Sequence, residues 1–271
     1  MSLRALAQCI GAVTSQGEFS VARQFFGHEW RPRPMSEQGL TRAGLQISLR
    51  AQTALLRGPH VHLNLIRVGF EFFETEDLRH LDRALATVRS VFAAVGIGIG
   101  RVRPYFIPDA QAAEVGVVSS WIAFDDQAAE LTDMFKVDND ALDVFLVLDW
   151  GLFSSQPIGR SAVDGPCDKE LDACEMSGLV VSVSRTPTTT GFTLAHELGH
   201  YLGLSHIGDL SVDDLDQDDS GVVEEDEHAM FPMANQNLMY PVIRGSNLTS
   251  GQGTTMREHC FVKSGCQGGG P

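Results

Sequence analysis

No apolar run in the 271-residue chain approaches the ~20 residues that a helix needs to cross a bilayer, so no membrane-spanning helix is expected. A basic stripe is missing as well. Phosphate binding needs clustered Lys and Arg, and only 20 of these stand against 35 acids, which argues against a nucleic-acid partner. The N-terminus, "MSLRALAQCIGAVTSQGEFS", lacks the shape of a secretory leader, because Gln8, Cys9 and Gly11 dilute its short apolar stretch. No internal repeat is evident. Cysteine is sparse, at five: Cys9, Cys167, Cys174, Cys260 and Cys266. Neither close pair, 167/174 or 260/266, has the tight spacing of a four-cysteine zinc site. Two readings stay open for them. One is a small-loop disulfide within each pair in an oxidising compartment; the other is reduced thiols in a cytosolic protein.

What the chain does have is acid, concentrated in one place. Ten of the 35 carboxylates fall between Asp209 and Glu227, where there is no Lys or Arg, so the net charge of −15 belongs mainly to one loop. The 43% hydrophobic content at this length suffices for a substantial core. Residues 1–58 show no strong period and read as an N-terminal extension of uncertain role. The main domain then runs from 59 to 271. "VHLNLIRVGFEFF" (61–73) alternates as a strand. Leu78, Leu81, Leu85, Val88, Phe92 and Val95 recur at three and four, predicting a helix with Thr75 as N-cap and Gly96 as its stop. "IGIGRVRPYFI" reads as a strand and not as a nucleotide loop, since the later glycine and the following helix are missing. "DDQAAELTDMF" is helical; "ALDVFLVLDWG" and "GLVVSVS" are buried strands. The fold class expected is α+β with mixed α/β order: one twisted sheet with helices packed on it.

"TLAHELGHYLGLSH" (193–206) carries the chemistry. His196 and His200 are four apart and project from one helical face, a two-imidazole claw for a metal. A continuous helix would carry His206 about 15 Å beyond His196 along its axis. Gly203 resolves this, because glycine takes the left-handed conformation that ends a helix and turns the chain back. His206 then becomes a third ligand, and Glu197 lies beside the first.

"HELGHYLGLSH" resembles the zinc signature HExxHxxGxxH of the metzincin metallopeptidases. Its wording is closest to the matrixin branch, and "NQNLMYPV" places Met239 in a matrixin-like methionine turn. There are departures. Ile207 stands where matrixins have serine, and a long insertion before Met239 is more like the pappalysin or leishmanolysin branches. Tyr240 follows the methionine directly, whereas families with a tyrosine ligand place it two residues after. "LTSGQGTTMREH" is similar to the closing helix of many bacterial metzincins. The resemblance implies an upper subdomain (59–203) and a lower one (204–271) with an acidic insertion at 209–228. It implies Zn²⁺ on His196, His200 and His206, Glu197 as general base, and peptide-bond hydrolysis. Met239 would form the floor of the site. Tyr240, Pro241 and Val242 would wall a substrate pocket, or pack in the core. Secretion is what the resemblance favours. "AQCIGA" is unlike the matrixin cysteine switch, so no latency role is expected of Cys9.

"DQDDSGVVEEDE" (216–227) keeps the register of a calcium loop. Oxygens fall at Asp216, Asp218, Ser220, Glu224 and Glu227, with the Val222 carbonyl at position seven and Gly221 at the sharp turn. A solvated acidic loop is the other reading. Two further functions compete with the peptidase: a catalytically silent, zinc-containing peptide-binding module, and a zinc hydrolase of a non-peptide amide. The intact Glu197 counts against the first.

Overall fold

Alternation sets the architecture. Along β3 (His60–Val68), Val61, Leu63 and Leu65 enter one apolar cluster while Ile66 and Val68 enter another, so both faces of the strand are covered. The same division recurs in β6 (Leu142–Val147) and β9 (Leu179–Ser182). The computed structural model describes residues 58–123, 125–150, 159–170, 176–183, 186–207, 236–241 and 245–264. It also describes the backbone of an antiparallel pair, β1 (Gln24–Phe25) and β2 (His28–Glu29). The candidate calcium residues Asp216 to Glu227 lie outside the described residues, as do Val242, Cys9, Cys174, Cys266 and most of 1–58.

Four strands run parallel in the order β4 (Gly98–Ile107), β3, β6, β9. The sheet ends on a short antiparallel strand, β8 (Gly159–Ser161), beside β9. A second antiparallel strand, β10 (Val262–Lys263), pairs with the start of β3. A small parallel pair, β5 (Trp121–Ile122) and β7 (Asp149–Trp150), stands apart. One face of the sheet packs α1 (Thr75–Ala93) and α4 (Pro187–Tyr201); the other packs the short α2 (Asp109–Ala112) and α3 (Asp125–Met134). α5 (Ser250–Glu258) packs on the α1/α4 side through Met256. The α+β expectation, a mostly parallel twisted sheet with packed helices, is what the chain adopts.

Three details correct the sequence reading. The first strand stops at Val68, because Gly69 takes a left-handed φ of 62° and leads into a 3₁₀ turn over Phe70–Phe72. A Cβ there would sit 2.9 Å from the Ser120 amide, so the backbone needs glycine at this crossing. The N-cap of α1 is Glu74 rather than Thr75: the Glu74 side chain accepts the Asp77 amide, and Asp77 Oδ2 accepts the Glu74 amide at 2.7 Å.

Among the described residues a disulfide joins Cys167 to Cys260, across the two close pairs and not within either. The reason is long-range packing. Tyr201 O–H donates to Pro166 O at 3.0 Å, and His259 Nε2 lies 3.0 Å from Gly165 O, which brings the loop carrying Cys167 to the end of α5. A buried ion pair, Lys169 Nζ to Asp143 Oδ2 at 3.1 Å, pins the same loop to β6. Asp143 also accepts from Asn64 and from the Val137 amide, so the buried carboxylate is fully satisfied.

Candidate metal centre

α4 is built to hold two histidines rigidly. Thr186 Oγ1 caps it by accepting the Thr189 amide at 3.2 Å, and Pro187 occupies the first turn where no amide is required. Its middle is buried against α1. A Cβ on Gly191 would meet Thr87 Cβ at 2.6 Å and Ala84 O at 2.9 Å, so the missing side chain sets the helix separation. At the other end Gly203, with φ 94°, donates to His200 O, and Leu204 donates to Gly199 O. The chain reverses there, as the glycine implies, and returns His206 to the helix.

The three imidazoles converge through their Nε2 atoms: His196 to His200 3.0 Å, His200 to His206 3.1 Å and His196 to His206 3.2 Å. His196 and His200 are 4% and 7% exposed. Their outer nitrogens are held by backbone. His196 Nδ1 donates to Leu238 O and His200 Nδ1 donates to Leu204 O, each at 2.7 Å. A carbonyl accepts only, so the proton sits on Nδ1 and both Nε2 lone pairs turn inward. Burial lowers the His196 pKa below the ordinary histidine value, Leu238 O pulls it back up, and His206 lowers it further. Lone pairs crowded at such distances repel one another unless a cation lies between them. Zinc–nitrogen bonds of about 2.0–2.1 Å at roughly tetrahedral angles place ligand nitrogens about 3.3 Å apart, so this donor set fits the ion.

Glu197, 6% exposed, lies beside this cluster. Burial pushes its carboxyl up to about 8, and Arg160 on β8 opposes the shift. β8 passes it closely: a Cβ on Gly159 would stand 2.8 Å from both Oε1 and Cγ of Glu197 and 2.7 Å from Thr193 Cγ2. Met239 is fully buried below α4, and a Cβ on Gly199 would lie 2.7 Å from its sulfur. Tyr240 is half-buried and Pro241 exposed at the rim of the same turn. Sequence reasoning missed Gly159, Leu204 and Leu238, whose contributions come from backbone, and also Asn237, which accepts the Met239 amide at 2.9 Å. An asparagine two residues before an unsupported amide is a turn signal that was available.

No family model matches the chain. Over 76 residues, 28% of this chain and 16% of the other protein, the sequence is 34% identical to the snake venom metalloproteinase acutolysin-C of Deinagkistrodon acutus. The chain therefore aligns with less than a fifth of that relative's length. The solved structure of metalloproteinase-II from Bacteroides fragilis aligns with 76% of this chain and 54% of its own, at a TM-score of 0.45 and 15% identity.

Proposed function

We propose that the chain is a zinc-dependent endopeptidase of the metzincin type, with zinc on His196, His200 and His206 and Glu197 as the general base. The observation that carries the reading is the convergence of three Nε2 atoms within 3.2 Å beside a buried carboxylate. Support comes also from the local match to a relative named as a metalloproteinase. The metal, when bound, acts as a Lewis acid that acidifies water and polarises a scissile carbonyl near neutral pH. Glu197, ionised where the charge of a bound cation offsets its burial, takes the proton of the attacking water on its carboxylate and hands it to the leaving amine. Its burial excludes competing solvent, and the Gly159 backbone limits where the carboxylate can move. Met239 supplies an apolar floor, and Tyr240 and Pro241 wall the pocket. Protein or peptide is the substrate class. The Cys167–Cys260 bond supports an oxidising, extracellular setting. The acidic register from Asp216 to Glu227 supports a calcium loop as a second ion site, for which added Ca²⁺ should raise Tm in chelator-stripped protein and an unchanged Tm counts against it.

Digestion of a broad peptide library with and without chelator tests the activity. Cleavage that stops on zinc removal and returns on zinc addition is expected. Stoichiometric zinc without cleavage would instead favour the silent binding module, and cleavage confined to small acylated amines would favour the non-peptide hydrolase.

A further inference from the structure

The methionine turn touches the metal-binding histidines through two carbonyls. Leu238 O accepts from His196 Nδ1, and Met239 O accepts the amide of Ile207, the residue after His206, at 3.0 Å. A carbonyl aims accurately only if its own peptide is fixed. Asn237, 8% exposed, fixes it from one side, with Oδ1 accepting the Met239 amide. That oxygen also accepts from Gln252 Nε2 at 3.1 Å, while Asn237 Nδ2 donates to Gln252 Oε1 at 2.9 Å. The two amides therefore form a reciprocal pair. Gln252 is simultaneously the third residue of α5, where its Oε1 accepts the Thr249 amide and its own amide donates to Thr249 Oγ1. One side chain thus caps α5 and grips the turn beneath the histidines. Asn237 cannot reverse its amide to compensate, because its oxygen is already committed to Met239.

We propose that Asn237 and Gln252 are positioning residues for the metal centre: a side-chain amide clasp by which α5 holds the Leu238 and Met239 carbonyls against His196 and the His206 arm. The inference rests on the zinc reading above. Gln252→Glu separates the two duties. A glutamate at this helix position still accepts the Thr249 amide, so the cap survives, but it has no donor for Asn237 Oδ1 and sets oxygen against oxygen. Thr249→Ala does the reverse, weakening the cap and sparing the clasp.

The experiment is competition of the intact chain with a chromogenic chelator for zinc, alongside thermal unfolding. Gln252→Glu should weaken zinc binding about tenfold, the lower range for outer-shell partners of a metal site. Thr249→Ala should lower Tm and leave zinc affinity at the wild-type value. Asn237→Ala should repeat the loss of Gln252→Glu, and it carries the test alone if the glutamate variant does not fold. Wild-type affinity in the clasp variants overturns the proposal, and so does an equal loss in Thr249→Ala. A wild-type chain that takes up no zinc would instead sink the metal reading itself.

Discussion

Gly159 is the residue whose absence of a side chain matters most at the proposed centre. A methyl group there meets two atoms of Glu197 and the Thr193 methyl inside contact distance, and Glu197 is the more able to move. Gly159→Ala should therefore keep its zinc and lose about 10- to 100-fold in kcat, the scale for an ångström of misplacement. Unchanged kcat would show that the carboxylate tolerates the shift. Glu197→Gln should bind zinc and turn over no peptide, which activity and metal assays on one sample decide. His62, near the start of β3, gives a pH dependence. Its Nδ1 accepts the Arg101 amide at 2.9 Å, and burial, with the Arg101 charge adding to it, lowers its pKa from 6.5 to about 4. The unfolded chain thus binds this proton more readily than the folded one. Stability is complete above about pH 6.5 and declines as pH falls toward 4. Denaturant unfolding of His62→Gln across that range should show a shallower acid slope than wild type; identical slopes would refute the assignment.

At the scale of elements, the α1/α4 crossing decides where the histidines stand. Gly191 meets the Ala84 carbonyl as well as Thr87, and a backbone atom cannot rotate away. Gly191→Val should cost about 1–3 kcal/mol by denaturant unfolding, the range for overpacking. Phe92→Ala on α1, fully buried, should cost about 3–5 kcal/mol by leaving a cavity. These elements were legible in the sequence because their periods are strong. α1 repeats its leucines and valines at three and four, and β6 is apolar at every position but Asp143. The proposed metal ligands were legible for a local reason, since His196, His200 and His206, with Gly203 between them, lie within one helix and its turn. β8 was not, because three residues, Gly159 to Ser161, carry no period and become a strand only by pairing with β9. The clasp was half visible: Thr249 and Gln252 have capping-box spacing, but the contact with Asn237 exists only once the chain has folded.

For the whole molecule, the Cys167–Cys260 bond joins residues 93 apart and ties the loop over Tyr201 to the end of α5. Sequence spacing favoured neighbours within each close pair; the fold brings distant partners together, and no local signal could indicate that. Replacing both cysteines by serine should cost about 2–4 kcal/mol, and an unaltered unfolding midpoint would contradict it. Bridge, α5 and methionine turn thus all bear on the C-terminal part of α4, at Tyr201 and Gly199. What they are proposed to hold together is one metal ion, and X-ray absorption at the zinc edge on purified protein addresses that claim most directly. The prediction is one zinc per chain with three imidazole nitrogens at about 2.0–2.1 Å, and one imidazole fewer in His206→Ala. Protein that is fully folded yet takes up no zinc, or a ligand shell unaltered by His206→Ala, would contradict the account.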